Sequence, residues 1–206
     1  MQDDLLPLFP LQVVLLPQAE LPLHIFEDRY KEMIGEAVRG QSEFGIVLAS
    51  GNGILNAGCT AVVEKVTRTY EDGRMDIIAR GRRRFEIFAL DDEKSYLRAS
   101  VQFYDDDDAL APGELCRKAL EAWRESREPA ESAEEAGPSE KAPQLSFLLA
   151  REIPDLAFRQ QLLVSRSEIE RLRRLVEFFP GWRQRRLRTE HAQAVAPTNG
   201  HGRWPS

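Results

Sequence analysis

The sequence predicts an α+β protein in which a β-rich region with one inserted helix precedes a helical region. Three observations support this prediction. Between residues 5 and 104, short apolar segments rich in valine, isoleucine, threonine and tyrosine alternate with glycine, proline and aspartate turn residues. Within that stretch, one segment has the three-to-four-residue apolar spacing of a helix. From residue 115 onward the helical spacing predominates.

The first two strands are predicted on either side of Pro17. Residues 5–16, LLPLFPLQVVLL, are apolar, and Pro7 and Pro10 exclude a helix interior. Because proline cannot donate to a sheet, we predict that this segment forms an edge strand. The following segment QAELPLHI, residues 18–25, is a second extended segment.

The inserted helix is predicted from its apolar face. The residues on that face are Tyr30, Met33, Ile34, Ala37 and Val38. Asp28 is placed at the N-terminus, where a carboxylate satisfies free backbone N–H groups. Gly40 is predicted to end the helix.

The rest of the first half is predicted as strands and turns. Strands are predicted at residues 43–50, 59–70, 75–81, 82–91 and 96–105. The segment GNGILNAG, residues 51–58, is predicted as a turn because of its glycine and asparagine content. Asp72-Gly73 predicts a hairpin with a type I′ turn, whose two central residues both need a positive φ.

An acidic segment containing proline and glycine, residues 105–113, marks the boundary between two predicted lobes. We predict a β lobe over residues 1–106 and a helical lobe over residues 107–189. Residues 128–143 have almost no large apolar side chains, which predicts a flexible loop. The low apolar content of residues 190–206 predicts a disordered tail.

Three helices are predicted in the second part of the helical lobe. QLSFLLAREI and DLAFRQQLLV are two short helices separated by Pro154. Ser167 and Glu170 have the spacing of a capping box at the start of the last helix. Its apolar stripe is Ile169, Leu172, Leu175, Val176 and Phe179. Pro180-Gly181 is predicted to kink or end it.

Composition narrows the classes of partner. The 206 residues are 42% hydrophobic and 30% charged, as in ordinary globular proteins, and the net charge of −6 makes nucleic acid an unlikely main partner. Cys59 and Cys116 have no metal-site spacing, which suggests a reducing compartment or simple core packing rather than a disulfide framework. There is no signal-peptide pattern and no apolar run near the roughly 20 residues that span a bilayer. A cytoplasmic protein without a membrane partner is therefore expected.

Motifs of catalysis are missing from the sequence. It contains no G-x-x-x-x-G-K-[ST], H-E-x-x-H, C-x-x-C, G-x-S-x-G or G-x-G-x-x-G motif. The three histidines are His24, His191 and His201, and no serine near His24 lies in the strained turn of a nucleophile. We therefore predict no catalytic residues, no metal site and no cofactor, and hence that the protein is not an enzyme.

Two segments supply the candidate binding residues, LPLHIFEDRY (21–30) and RGRRRF (80–85). The candidates are His24, Phe26, Glu27, Arg29, Tyr30, Arg82, Arg83 and Arg84. We expect His24 to be a partly buried hydrogen-bonding residue rather than a ligand, and Phe26 and Tyr30 to hold the helix on the sheet. Arginines 82–84 are either a phosphate-binding cluster or a solvated strand edge that discourages aggregation, and the acidic net charge favours the second reading.

Three segments resemble one protein family. LPLFPLQVVLLPQAELPLHIFEDRY, GCTAVVEKVTRTYEDGRMDIIARGRRRFEI and RQQLLVSRSEIERLRRLVEFF are similar, in this order, to segments of the Lon N-terminal (substrate-binding) domain, in its stand-alone bacterial version. The resemblance covers about residues 5–180. It implies a PUA-like β pseudo-barrel with one inserted helix, followed by a C-terminal helical bundle.

The resemblance also implies a function. In Lon proteases this domain is linked to an ATPase module and a Ser-Lys peptidase, but the sequence has no P-loop, so those activities are not implied here. What it implies is a non-catalytic module that recognises protein or peptide segments, in protein quality control. RNA binding, as in other PUA-like folds, and small-molecule sensing, suggested by a fainter similarity to cereblon, are the alternatives. The oligomeric state is left open.

Overall fold

The computed structural model describes residues 5–51, 53–127 and 137–195. Its strands are β1 (Leu6–Leu11), β2 (Glu20–Ile25), β3 (Phe44–Ser50), β4 (Gly53–Thr69), β5 (Met75–Asp91) and β6 (Arg98–Tyr104). Its helices are α1 (Asp28–Gly40), α2 (Gly113–Ser126), α3 (Leu145–Leu149), α4 (Leu156–Val164) and α5 (Glu168–Val195). α1 begins and ends at the residues predicted for its two ends, but the Asp28 carboxylate pairs with Lys31 at 2.7 Å, and the residue before the helix, Glu27, makes no side-chain capping bond.

The described strands form one mixed sheet that closes on itself. Their order is β2-β5-β4-β3-β1-β6, and β6 also pairs with β5, so that five strands form a ring. β1 is parallel to β3, and the other pairs are antiparallel. β2 lies outside the ring on the first part of β5. The sheet with its inserted helix and C-terminal helices confirms the predicted α+β class.

The prediction that the first apolar segment forms an edge strand is wrong. β1 lies between β3 and β6, and residues 12–16 belong to no strand. The Leu8 amide donates to the Leu97 carbonyl at 2.7 Å. Because the backbone nitrogens of a strand point alternately to its two sides, the Pro10 nitrogen faces the same side as that of Leu8. It lies beyond the last residue of β1 that pairs with β6. The missing N–H of Pro10 therefore removes no bond to β6.

β4 and β5 are longer than predicted, with 17 residues each. Residues 53–58, predicted as a turn, begin β4, and the two strands predicted at 75–81 and 82–91 are one strand, β5. The β4–β5 register shifts at three places. Such irregularities bend a strand, which lets these two follow the curvature of the ring.

The predicted β4–β5 hairpin is confirmed, but its turn type differs. The Gly73 amide donates to the Tyr70 carbonyl at 3.0 Å, and the Tyr70 amide donates to the Arg74 carbonyl at 2.9 Å. Gly73 has a φ of 82°, whereas Asp72 does not have a positive φ. The loop is therefore a three-residue type, in which a left-handed glycine closes a type I turn.

The interior of the ring is filled around Phe85. Its buried cluster consists of Leu6, Leu8, Val47, Phe85 and Ala99. Gly58 approaches the aromatic ring so closely that a Cβ there would lie 2.7 Å from Cζ of Phe85. Because protein interiors are close-packed, a larger residue at position 58 would displace the ring. The phenylalanine of RGRRRF is thus a core residue.

A second apolar core lies outside the ring and crosses the predicted lobe boundary. It contains buried residues from the sheet, from α1 and from the C-terminal helices, among them Phe9, Ile46, Ala79, Leu120, Phe147 and Leu172. The helices therefore pack directly on the sheet. We keep the terms β lobe, for residues up to 106, and helical lobe, for residues 107–189, as names for these two parts of the chain.

α5 passes through Pro180 and continues to Val195, so residues 190–195 of the predicted tail are helical. Ser167 precedes α5, and its Oγ accepts a hydrogen bond from the Glu170 amide at 3.4 Å, as the capping-box spacing predicted. Residues 137–143 form neither helix nor strand. The rest of the predicted flexible loop, residues 128–136, and residues 196–206 of the tail lie outside the described residues.

Candidate functional site

The predicted binding residues occupy two separate places on the β lobe. The first group lies where β2 ends and α1 begins, and the second lies in the middle of β5. His24 pairs with Asp76 near the start of β5. Arg84 follows Asp76 by eight residues (84 − 76), which corresponds to roughly 26 Å along a strand. The structure does not bring the two groups together.

The first group contains an exposed polar cluster. His24 Nδ1 lies 2.5 Å from Asp76 Oδ1, and the Tyr70 hydroxyl donates to Asp76 Oδ2 at 2.8 Å. The bonds from His24 and Tyr70 lower the pKa of Asp76, and the bond to Asp76 raises the pKa of Tyr70. Phe26 is 59% exposed, and its ring stacks 6.0 Å from that of His24. The predicted hydrogen bond of His24 is confirmed, although the imidazole is exposed.

The next three candidates act within the fold. Arg29 pairs with Glu27 at 2.7 Å, and Glu27 is the residue that precedes α1. Tyr30 is buried, and its ring lies 4.1 Å from that of Phe9 in β1. Burial raises the pKa of Tyr30. Tyr30 therefore fixes α1 on the sheet, which leaves Phe26 as the exposed aromatic residue of this group.

The arginines of RGRRRF are divided among different environments. Three of them pair with carboxylates: Arg80 with Glu20 and Glu64, Arg83 with Glu43, and Arg84 with Asp106. Arg82 is exposed. The side chain of Arg84 is only 2% exposed, so it is not available to a ligand at the surface. Most of the positive charge of this segment is thus neutralised locally.

Arg84 belongs to what we call the buried arginine junction, formed by Arg84, Asp106, Ser146, Glu168 and Arg171. Asp106 Oδ1 accepts from Arg84 at 2.5 Å and from Arg171 at 2.6 Å. Arg84 also donates to the carbonyl of Ser165 at 2.6 Å. The junction therefore fastens the β lobe to the segments around α3 and α5.

Arg171 is fully buried, with 0% of its side chain exposed, and uses all of its donors. Nε donates to Ser146 Oγ, Nη1 to Asp106 and the Ser165 carbonyl, and Nη2 to Asp106 and Glu168. A guanidinium has five N–H groups, and each of these has an acceptor. Burial lowers the pKa of Arg171, but its bonds to Asp106 and Glu168 outweigh that effect, so the pKa is raised overall.

A groove lies between the two lobes, and we call it the inter-lobe groove. It has a volume of about 480 Å³ and is lined by Val13, Val14, Leu15, Ala19, Glu20, Leu21, Arg151 and Arg159. Its β-lobe wall is the connection between β1 and β2 with the start of β2, and its helical-lobe wall contributes the two arginines. This volume is within the usual range of ligand sites.

The β1–β2 connection is held in place by Gly81. The Gln18 amide donates to the Gly81 carbonyl, and the Gly81 amide donates to the Ala19 carbonyl, both at 2.9 Å. A Cβ at position 81 would lie 2.3 Å from the Leu16 carbonyl oxygen. Only glycine permits this approach of two backbones. The first glycine of RGRRRF is therefore a determinant of the wall of the groove.

The two arginines of the groove differ from those of the junction. Arg151 donates to the Gln18 carbonyl at 2.9 Å, and Arg159 donates to the Val14 carbonyl at 2.7 Å. In the part of the chain that the structure describes, neither has a carboxylate within 4.0 Å. Arg159 Nε is buried without a hydrogen-bond acceptor. Burial lowers the pKa of Arg159.

This pair of arginines is not among the binding residues predicted from the sequence. Asp155 precedes Arg159 by four residues, a spacing that normally predicts an ion pair on a helix. Instead, Asp155 Oδ1 accepts from the Phe158 amide at 2.9 Å and caps α4, while Arg159 turns toward Val14. Because the Asp155 carboxylate caps α4, it does not pair with Arg159. No local signal in the sequence shows that Arg159 reaches a residue 145 positions away.

A second concavity lies between α4 and α5 and has a volume of about 580 Å³. The rings of Phe158 and Phe178 stack at 4.2 Å, and Trp182 lies 6.3 Å from Phe178. Arg185 lies at its rim. These aromatic contacts connect α4 with the part of α5 on both sides of Pro180.

The described residues contain no group of three or more His, Cys, Asp or Glu side chains that is able to hold a metal ion. Burial raises the pKa of Cys59 to about 12, so this thiol stays protonated and is a poor nucleophile at neutral pH. Within the described ranges, no helix combines the length and apolar character that crossing a membrane requires.

Comparisons with known proteins agree on one family. The model of the ATP-dependent protease La (LON) substrate-binding domain matches residues 5–180. The chain is also 30% identical to a Lon protease of Parabacteroides distasonis over 111 residues, which are 50% of this chain. The match spans 14% of the length of that relative.

Two solved structures have a similar fold. The Lon N-terminal domain protein from Xanthomonas campestris has a TM-score of 0.69 and 26% identity, over 85% of this chain and 98% of that one. The N-terminal domain of the Lon protease of the Mycobacterium avium complex has a TM-score of 0.65 and 20% identity, over 86% of this chain and 98% of that one. At 20% identity, the similarity to the Mycobacterium avium complex domain concerns the fold alone.

Proposed function

The chain belongs to the family of the Lon substrate-binding domain, and from this membership we propose that it binds apolar segments of other proteins in the inter-lobe groove. The observation that carries this proposal is a cavity of about 480 Å³ between the lobes, with a largely apolar wall. The family defines the module as one that binds substrates. The groove is the site that we propose for this binding.

The chemistry of the wall fits apolar side chains. Val13 and Leu21 are half-buried, and each therefore offers apolar surface that a bound side chain can cover. Burying a leucine or valine side chain contributes about 1.5–3 kcal/mol. Such a gain is available from any exposed apolar segment, which suits a module that accepts many unfolded proteins.

The proposed role is that of a non-catalytic binding module in cytoplasmic protein quality control. Unfolded proteins expose apolar segments that folded proteins bury, and these are the segments that the groove would select. The matched family region is a substrate-binding domain, and the activities of complete Lon proteases are not part of the proposal. Its partners would be protein or peptide clients.

The RNA-binding alternative has less support. Arg80, Arg83 and Arg84 pair with carboxylates, and binding a phosphate would require breaking those pairs. No observation on the described residues favours the small-molecule alternative over a peptide. We therefore propose one function.

The proposal is tested with a permanently unfolded client. Fluorescently labelled, reduced and carboxymethylated α-lactalbumin is titrated with the protein, and binding is followed by fluorescence anisotropy. Val13→Asp places a charge in the apolar wall and should weaken binding at least tenfold. The matched control is Leu110→Asp, because Leu110 is 92% exposed and lies outside the groove. It should bind like the parent protein.

Thermal unfolding of both variants establishes that they are folded. Absence of binding by the parent protein at tens of micromolar would overturn the proposal. Equal binding by Val13→Asp and Leu110→Asp would place the client elsewhere, and would overturn the assignment to the groove.

A further inference from the structure

We infer that the inter-lobe groove accepts the C-terminal end of a client, whose terminal carboxylate is bound by Arg151 and Arg159 while its last side chain contacts the apolar wall. This inference rests on the proposed function, because it specifies which part of a bound protein enters the groove. It assigns a partner chemistry, a free α-carboxylate adjoining an apolar side chain, to residues outside the predicted binding set.

The first support is the number of unused donors. Each guanidinium has five N–H groups. Among the described residues, Arg151 makes one hydrogen bond, to the Gln18 carbonyl, and Arg159 makes one, to the Val14 carbonyl. Arg159 Nε is in addition buried without an acceptor. A carboxylate has two oxygens that accept in the geometry that arginine offers.

The second support is the local charge. Glu20 lines the groove, but its carboxylate pairs with Arg80 at 2.7 Å, as does Glu64 at 3.0 Å. The groove is therefore lined by two guanidiniums, those of Arg151 and Arg159, and by one carboxylate, that of Glu20, which Arg80 engages. Burial and the charge of Arg80 lower the pKa of Arg151. A bound anion would remove this imbalance.

The third support is that both arginines are already held in place. Their hydrogen bonds go to backbone carbonyls of the β1–β2 connection, which Gly81 in turn anchors. Arg159 is half-buried and Arg151 is exposed, so the pair offers donors both inside the groove and at its mouth. Side chains that are fixed before binding lose less conformational entropy when a ligand arrives.

A chain end fits this arrangement better than an internal acidic residue. At a C-terminus, the carboxylate and the last side chain belong to one residue, so the arginines and the apolar wall act on neighbouring groups. An internal aspartate or glutamate would bring two flanking segments of chain into the same cavity of about 480 Å³.

The test uses N-terminally fluorescein-labelled decapeptides ending in Val-Leu-Ala-Leu, each made as a free acid and as an amide. Binding to the full chain is measured by fluorescence anisotropy. The parent protein should bind the acid about tenfold more tightly than the amide, as expected for hydrogen bonds to a charged group. Arg151→Gln and Arg159→Gln should bring the affinities for acid and amide within about twofold of each other, and the amide affinity should stay near that of the parent protein.

The control variant is Arg124→Gln, since Arg124 is exposed on α2 and is not part of the groove. It should keep the tenfold preference. Equal binding of acid and amide by the parent protein would overturn this inference and leave the proposed function standing. If neither peptide bound, this inference would be overturned, and the titration with unfolded α-lactalbumin would decide the proposed function. If Arg151→Gln weakened acid and amide equally, the arginine would support the groove without binding the carboxylate, and the inference would be overturned.

Discussion

Two pairs of arginines join the β lobe to the helical lobe, and they do so in different ways. In the buried arginine junction, Arg84 and Arg171 pair with Asp106, and Arg171 has an acceptor for every N–H group. In the inter-lobe groove, Arg151 and Arg159 hold backbone carbonyls and pair with no described carboxylate. Arg171 of the first pair has no donor left, whereas Arg151 and Arg159 of the second pair each make one hydrogen bond.

The difference predicts a structural role for the first pair and fits the binding role that we propose for the second. A buried charge whose hydrogen bonds are complete has nothing left to offer a ligand, and its removal leaves its partners uncompensated. A charge with unused donors beside a cavity contributes less to folding and more to recognition. The stability of variants at the two sites should therefore differ, and so should their binding.

The largest effect is expected from Arg171→Leu. It removes the arginine partner of Glu168 and one of the two arginines that pair with Asp106, both partly buried carboxylates, which should lower the free energy of unfolding by about 3–5 kcal/mol. Urea denaturation followed by circular dichroism measures this. Arg173→Leu is the matched control on the same helix, because Arg173 is exposed, and it should change the value by at most about 0.5 kcal/mol. Similar losses for both variants would contradict the role of the junction.

A smaller effect is expected from Ser146→Ala within the same junction. The Ser146 hydroxyl accepts from Arg171 Nε at 2.8 Å and donates to Glu168 at 2.6 Å. Its loss leaves buried groups without a partner and should cost about 1–3 kcal/mol of unfolding free energy. Ser95→Ala removes an exposed hydroxyl bonded to Glu32 at 2.6 Å and should cost less. If Ser95→Ala cost as much, burial would not be what gives the junction its strength.

Arg159→Gln should have a still smaller effect on stability. It removes one hydrogen bond to the Val14 carbonyl, and it also removes a buried N–H that has no acceptor. Losing the hydrogen bond lowers the free energy of unfolding, whereas losing the unsatisfied N–H raises it. We therefore expect the free energy of unfolding to fall by about 1 kcal/mol or less in the same urea assay. A loss as large as that of Arg171→Leu would make Arg159 a structural residue and would end the contrast between the two pairs.

The smallest effect is expected at the exposed pair of His24 and Asp76. The pKa of Asp76 is lowered in the folded protein, so the ionised carboxylate contributes stability above the ordinary Asp pKa of about 3.9. That contribution is lost as the pH falls through the folded-state pKa. The melting temperatures of the parent protein and Asp76→Asn should therefore converge between about pH 4.5 and 2.5. If the difference in melting temperature stayed constant over this pH range, the charge of the Asp76 carboxylate would not be the source of the stabilisation.

Much of the fold was predictable because its signals are local. The apolar face of α1, the Asp72-Gly73 hairpin and the capping box before α5 each depend on residues close in sequence. The position of β1 was not predictable from its prolines. Proline is tolerated in an edge strand. It is tolerated equally well in a strand such as β1, which lies inside a ring but has little pairing on one side.

The candidate site was less predictable than the fold. Arg84 and Arg159 both look like surface charges in the sequence, yet one is buried against Asp106 and the other reaches the carbonyl of Val14. Both contacts join distant parts of the chain, and the periodicity of a segment carries no information about them. His24, by contrast, was correctly predicted to form a hydrogen bond. Its role in binding stays a prediction.

β2 is the one described strand with a single strand partner, and its open side has a consequence for self-association. The Gly81 amide donates to the Ala19 carbonyl, so the polar backbone groups of Ala19 face β5. Successive residues of a strand direct these groups to opposite sides, and the backbone nitrogen of Pro22 therefore points away from β5. The open edge therefore lacks a donor between Glu20 and His24. A foreign strand cannot extend the sheet there without losing a bond. Pro22 thereby disfavours growth of the sheet by strand pairing at this edge.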